Sequence, residues 1–217
     1  LNYQFLLNFP VVSGNVSFYN QTKEVGIKPT PSIGGVGLIK DYKKMISMDL
    51  KEIDNLVIII GKTEGHIDQS LFARTILDEK NGPPPEVNLF NEKNNGESIL
   101  NLIDKGYVKS AHDISLGGLL VAISKMCIKG NKGIKINKSK NLINEIEYFF
   151  AEDQGRYLIE VNKDDLKEVT KILNKNSVHH EELGIITQND MIINEKTKVT
   201  IDELKSYYTN WLSKFMS

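Results

Sequence analysis

Leu56-Val57-Ile58-Ile59-Ile60, closed by Gly61, is a continuous apolar run in which all but Leu56 are β-branched. It is too short for an ordinary helix, and no polar residue alternates within it, so both of its faces need cover. The run predicts a central strand buried on both sides, and hence a layered domain with helices packed on a sheet. Downstream, helical and strand patterns interleave. Residues 69–79 carry Leu71, Phe72, Ile76 and Leu77 at helical spacing and are stopped by Gly82-Pro83-Pro84-Pro85. A second helix is expected over 98–105, with Gly106 as its cap. A short strand over 108–113 leads into a helix over 117–129. Strands follow at 134–136 and 157–161, then a helix to residue 173 capped by Asp164 or Asp165. Two more strands, 183–187 and 191–193, precede a terminal helix over 201–215. This alternation, from about residue 54 onward, is that of an α/β (α+β layered) domain.

Upstream the pattern changes. Residues 1–50 mix short apolar stretches with Pro10, Pro29, Pro31 and the glycines of Gly34-Gly35-Val36-Gly37, with no long helical period. They read as loops and edge strands, the tail of a domain. The chain opens on Leu1 and runs at once into Leu6-Leu7-Asn8-Phe9-Pro10-Val11-Val12, which reads as the middle of a fold and suggests a piece of a longer polypeptide.

Composition narrows the partners. Lys plus Arg number 27 against 28 Asp plus Glu, a net charge of −1, which gives no field for nucleic acid or an anionic membrane surface. No apolar run is long enough to span a bilayer and no basic start followed by an apolar stretch marks a signal peptide, so a cytoplasmic location is expected. Cys127 is the single cysteine, set among Ala122, Met126 and Ile128, and reads as a buried structural thiol rather than a nucleophile.

Three constellations carry chemistry. In Ser13-Gly14-Asn15-Val16-Ser17-Phe18-Tyr19-Asn20, Gly14 permits close approach to the backbone, Asn15 offers a neutral oxygen to a hard cation, and Ser17 offers a hydroxyl. A plain β-turn is the other reading of the same residues. In Ala111-His112-Asp113-Ile114-Ser115-Leu116-Gly117-Gly118-Leu119, a strand end passes through adjacent glycines into a helix. That arrangement aims amides at an anion, with His112 and Asp113 flanking the crevice. Capping by Ser115 with a core-bonded His112 is the alternative. In Glu152-Asp153-Gln154-Gly155-Arg156-Tyr157, an internal ion pair of Arg156 with Glu152 or Asp153 competes with anion binding. Gly61-Lys62-Thr63 echoes a phosphate loop, but Leu56 stands where that loop needs a glycine. His179-His180 lacks metal-ligand spacing. The terminal helix, with Leu204, Tyr208, Trp211, Leu212 and Phe215, is expected to pack on the core.

Taken in order, Pro10 to Asn20, Pro29-Thr30-Pro31 with Gly34-Gly35-Val36-Gly37, Ser110 to Ser115 with Gly117-Gly118-Leu119, and Glu152 to Tyr157 resemble the second half of phosphoribosylformylglycinamidine synthase, its large synthetase subunit of bacterial type. The resemblance covers nearly the whole chain. It implies two tandem copies of a β-rich domain followed by an α/β domain of the aminoimidazole-ribonucleotide-synthetase type, of which residues 1–50 and 51–217 are the end of the second copy. It implies ATP-dependent activation of the amide of formylglycinamide ribonucleotide (FGAR) as an iminophosphate, then attack by ammonia in de novo purine synthesis. By position, Gly14 would contact ATP, Asn15 would ligate Mg²⁺ and Ser17 would touch FGAR, while His112, Asp113, Gly117 and Gly118 look like a nucleotide- or phosphate-binding loop. The implied partners are the preceding part of the polypeptide, a separate glutaminase subunit and a small bridging subunit. This chain departs from the family in having Leu116 where an Asp is usual, and Ile67-Asp68-Gln69-Ser70 where a glycine-rich segment is common. Other ATP-using members of the superfamily, such as selenophosphate synthetase or thiamine-phosphate kinase, lack the Ser-Gly-Asn-Val-Ser segment. A non-catalytic structural copy that completes the pseudodimer is the rival of a different class.

Overall fold

A computed structural model describes residues 6–28, 30–136 and 144–217. Pro29 of the Pro29-Thr30-Pro31 stretch and the opening residues 1–5 lie outside them. The chain divides into two compact units, Leu1–Met45 and Ile46–Ser217. Residues 46–50, expected with the first segment, belong to the second unit, where Leu50 joins the core.

The first unit contains one short antiparallel hairpin, β1 (Gln21–Thr22) and β2 (Val25–Gly26), turning at Lys23 with a left-handed backbone. Its large apolar side chains, among them Val12, Phe18, Val36 and Leu38, stand exposed. None of its described residues is buried, and a stretch this apolar is a surface in want of cover.

The second unit is built on a seven-stranded sheet. Its strands are β3 (Leu56–Ile60), β4 (Val108–Asp113), β5 (Gly133–Ile136), β6 (Tyr157–Val161), β7 (His180–Thr187), β8 (Asp190–Ile193) and β9 (Thr197–Thr200), in the order β4-β6-β3-β7-β5-β8-β9. Every pairing is antiparallel except β5 with β8. The helices are α1 (Leu71–Thr75), α2 (Leu89–Asp104), α3 (Gly118–Gly130), α4 (Glu145–Phe150), α5 (Leu166–Lys175) and α6 (Ile201–Met216).

β3 occupies the predicted central place, paired with β6 and β7, and all its residues are buried. Successive side chains point to opposite faces, so the run splits between two cores. Val57 and Ile59 pack with Leu119, Ile123 and Met126 of α3 and Tyr148 and Phe149 of α4. Leu56, Ile58 and Ile60 pack with Ile99 and Leu102 of α2 and Val169 and Leu173 of α5. Each fully buried isoleucine contributes about 1.5–3 kcal/mol, and two-sided cover is why no position in the run can be polar.

Four expectations change. The helix expected over 69–79 shrinks to α1, capped by the Ser70 hydroxyl and ended before Asp78 takes a left-handed backbone. The helix expected from 98 starts at Leu89, capped by Asn88; its inner positions include Asn95 and Ser98, which hide the apolar period. α5 is entered through a 3-10 turn, Lys163–Asp165, capped by Asn162 rather than by a side chain of Asp164 or Asp165. In α6 only Ile201 is buried and Leu204 is partly buried against the core, while Tyr208, Trp211, Leu212 and Phe215 are exposed.

Candidate functional site

Gly14, Asn15 and Ser17 lie in the first unit, on open chain just before the hairpin. All three are exposed, and a Cβ built on Gly14 would meet nothing within 4 Å. The Ser17 carbonyl accepts a hydrogen bond from the Asn20 side-chain amide, which fixes the turn and leaves the Ser17 hydroxyl outward as a free donor and acceptor. The Asn15 carbonyl oxygen suits a hard cation, but Mg²⁺ demands near-octahedral oxygen coordination. Among the described residues no group of three or more His, Cys, Asp or Glu could hold a metal. Asn15 thus offers a cation a single oxygen, which alone does not make a magnesium site.

His112, Asp113, Gly117 and Gly118 lie in the second unit, where β4 ends and α3 begins. The His112 Nδ1 stands 3.1 Å from an Asp113 carboxylate oxygen, and its Nε2 is buried without a partner. Burial pushes the His112 imidazole down, which favours the neutral ring. Burial acts to raise Asp113, yet the Ser115 hydroxyl and His112 hold it below the usual carboxylate range. Burial raises half-buried Glu92, and its charge adds to burial in raising Tyr157.

The glycine turn does have an anion, and it is internal. Gly117 adopts a left-handed conformation with φ of 87° and donates its amide to Glu152 Oε1 at 2.8 Å. The same oxygen accepts from Leu71 N at 2.7 Å, so one carboxylate closes the first turns of α1 and α3. Gly118, φ 70°, passes so near the Phe150–Ala151 backbone that a Cβ would lie 2.6 Å from the Ala151 carbonyl oxygen. These glycines serve backbone packing and a protein carboxylate; Ser115 supplies no side-chain cap. Leu116 is exposed beside them.

The rest of the Glu152–Tyr157 stretch knits the neighbouring loop. Asp153 accepts from the amides of Glu64, Gly65 and His66 at 2.9, 3.1 and 3.0 Å. Arg156 is buried and donates to the Ala151 carbonyl at 2.6 Å and to the Thr63 hydroxyl at 3.1 Å, with Asp153 as its ion-pair partner at 3.9 Å. Thr63 and Gly61, which echo a phosphate loop, are thus absorbed into packing. A further buried carboxylate, Glu160 on β6, has no counterpart in the sequence reading; the only signal for it is an acid inside an apolar strand.

Residues 52–194 match the profile of the AIR synthase related protein, C-terminal domain. The chain belongs to that family. Among its relatives, the phosphoribosylformylglycinamidine synthase subunit PurL of Pelagibacter ubique is 68% identical over 210 residues, 97% of this chain and 29% of the relative. The chain thus spans under a third of the length of that relative. Thermotoga maritima PurL complexed with FGAR matches 75% of this chain and 29% of its own, with a TM-score of 0.63 at 18% identity; the same protein complexed with ATP gives 0.59 at 16%. At that identity the likeness is one of fold, and it is the AIR synthase C-terminal fold, a sheet clad by helices on both faces, that the second unit displays.

Proposed function

We propose that this chain is the C-terminal part of an ATP-dependent carbon–nitrogen ligase that converts FGAR to its amidine in purine biosynthesis. The observation that carries the reading is the 68% identity with PurL over 97% of the chain, which takes in the Gly14-Asn15-Val16-Ser17 turn. Residues 1–50 would end the second β-rich domain and 51–217 would form the second α/β domain. Gly14 lets ATP approach the backbone, the Asn15 oxygen is a ligand for Mg²⁺, and the Ser17 hydroxyl hydrogen-bonds FGAR; the exposure of all three supports this. The metal neutralises charge on the phosphates during transfer. The chain supplies only part of such a site, so the preceding polypeptide completes it, with ammonia from a separate glutaminase subunit held through a small bridging subunit. A cytoplasmic location follows from the pathway, and no helix among the described residues is long and apolar enough to cross a membrane.

The α/β unit itself reads as scaffold. Glu152 at the Gly117 amide supports that second reading for the His112–Gly118 turn, against nucleotide binding there. Asn15→Ala in the complete synthetase tests the main reading: amidine formation is expected to fall at least about a hundredfold, as for loss of a group that positions charge in phosphoryl transfer. Unchanged turnover with intact folding would assign the whole chain to the scaffold.

A further inference from the structure

Asn-Gly occurs twice in the chain, at Asn81-Gly82 and Asn95-Gly96, and the fold treats the two steps oppositely. Asn81 is exposed, in the loop between α1 and α2. That loop is strapped by its carbonyls to the stretch ahead of α1. Gln69 Nε2 donates to the Lys80 and Gly82 carbonyls at 2.9 and 3.1 Å, and His66 Nε2 to the Pro83 carbonyl at 3.0 Å. The strap uses neither the Asn81 side chain nor the Gly82 N–H, and neither has a partner among the described residues. Gly82 has a φ of 106°, and a Cβ there would lie 2.6 Å from the Asp68 carboxylate, so the fold demands glycine beside this asparagine. Asn95, by contrast, is buried within α2. Its side-chain amide donates to the Gly155 carbonyl at 2.8 Å, and the Gly96 amide is committed to the helix ladder.

An exposed asparagine followed by glycine holds both the electrophile and the nucleophile for its own modification, because no side chain on the next residue shields the peptide nitrogen. We propose that Asn81-Gly82 is a deamidation site, at which the chain takes up water and releases ammonia without an enzyme. A solvent base removes the Gly82 amide proton, and the nitrogen attacks the Asn81 side-chain carbonyl carbon. A C–N bond forms there and the bond to the side-chain nitrogen breaks. Ammonia leaves with a proton from water, and a succinimide ring remains. Water then opens the ring at either carbonyl: one cleavage gives aspartate in an ordinary peptide, the other an isoaspartyl link through the side chain. Nothing is oxidised or reduced. Either product adds a negative charge to a loop that already holds Asp78 and Glu79. The isoaspartyl link also puts one more carbon into the main chain between the two carbonyls that Gln69 holds.

The test incubates the full chain folded, and in parallel in urea, in the same mildly alkaline buffer. Samples taken over time are digested and mapped by mass spectrometry, and an isoaspartyl methyltransferase marks the isoaspartate. In the folded chain Asn81 is expected to convert at least about tenfold faster than Asn95, since Asn95 reacts only when α2 opens. In urea the two should react at comparable rates. Asn81→Gln, whose longer side chain closes the ring far less readily, should stay one species on anion exchange while wild type gains a more acidic one. Conversion at Asn81 no faster than at Asn95 in the folded chain overturns the site, as does an Asn81 that converts only in urea. An acidic species that accumulates equally in Asn81→Gln places the reaction elsewhere and overturns it too.

Discussion

Replacing Glu152 by Ala removes the acceptor of two backbone amides, Leu71 N at 2.7 Å and Gly117 N at 2.8 Å, at the first turns of α1 and α3. Gly117 is buried, so its N–H would gain no water in exchange; Leu71 is half-buried and would recover part of its loss. A hydrogen bond to a charged group contributes about 1.5–3 kcal/mol, so a full loss at Gly117 and a partial one at Leu71 come to about 3 kcal/mol. The favourable placement of a carboxylate at the start of α3 is lost as well. For a chain of this size each 1 kcal/mol moves the melting midpoint by about 2–4 °C, giving a fall of about 9 °C. The assay is thermal unfolding followed by far-ultraviolet circular dichroism. Glu152→Gln keeps an oxygen within reach and should lose less than half as much. A midpoint for Glu152→Ala within about 2 °C of wild type would refute the reasoning, since no hydrogen bond of that weight could then exist.

Three other outcomes follow from the packing. Gly118→Ala sets a Cβ 2.6 Å from the Ala151 carbonyl oxygen at a φ of 70°, and should lower stability by about 3 kcal/mol or more in urea unfolding, by clash and backbone strain together. Burial pushes the Cys127 thiol up to about 12, so at pH 8 a disulfide reagent should label the native chain far more slowly than the unfolded one, where the sole cysteine reacts at once. The Asp49 carboxyl, bonded to Lys51 and Ser47, is lowered from 3.8 to about 2; its folded-state value lies below the unfolded one, so its contribution is present above about pH 4 and fades as pH falls through about 2. Asp49→Asn should remove that contribution, lowering stability modestly at neutral pH, since the pair is largely exposed, and leaving it unchanged below about pH 2, so that the acid limb of the stability–pH curve flattens in that window.

β3 was legible in the sequence because cover on both faces forbids polar residues, and an unbroken β-branched run has few other meanings. The start of α2 was not legible, because Asn95 and Ser98 occupy inner positions and bond to the Gly155 carbonyl and the Asn176 amide, contacts that only the tertiary fold supplies. α4 is brief, yet its Asn144–Glu147 capping box stands in the sequence and could have announced it. For α6 the amphipathic period was real, but periodicity reveals an apolar stripe and not what lies against it. The site divides in the same way. Gly14, Asn15 and Ser17 stand as candidates through family likeness, since their local chemistry fits a plain β-turn as well. Glu152 could not, since Arg156 offered a nearby partner, whereas the carboxylate instead serves an amide 35 residues away. Glu160 is harder still, for one of its donors, Lys51, lies 109 residues upstream.

The proposed function turns on one oxygen atom. A crystal structure of the complete synthetase with Mg²⁺, an unreactive ATP analogue and FGAR should place the Asn15 side-chain oxygen about 2.1 Å from a magnesium ion, with the Ser17 hydroxyl in hydrogen-bonding reach of FGAR. An Asn15 packed away from metal and nucleotide, beside a fully occupied magnesium site built from other residues, would contradict it.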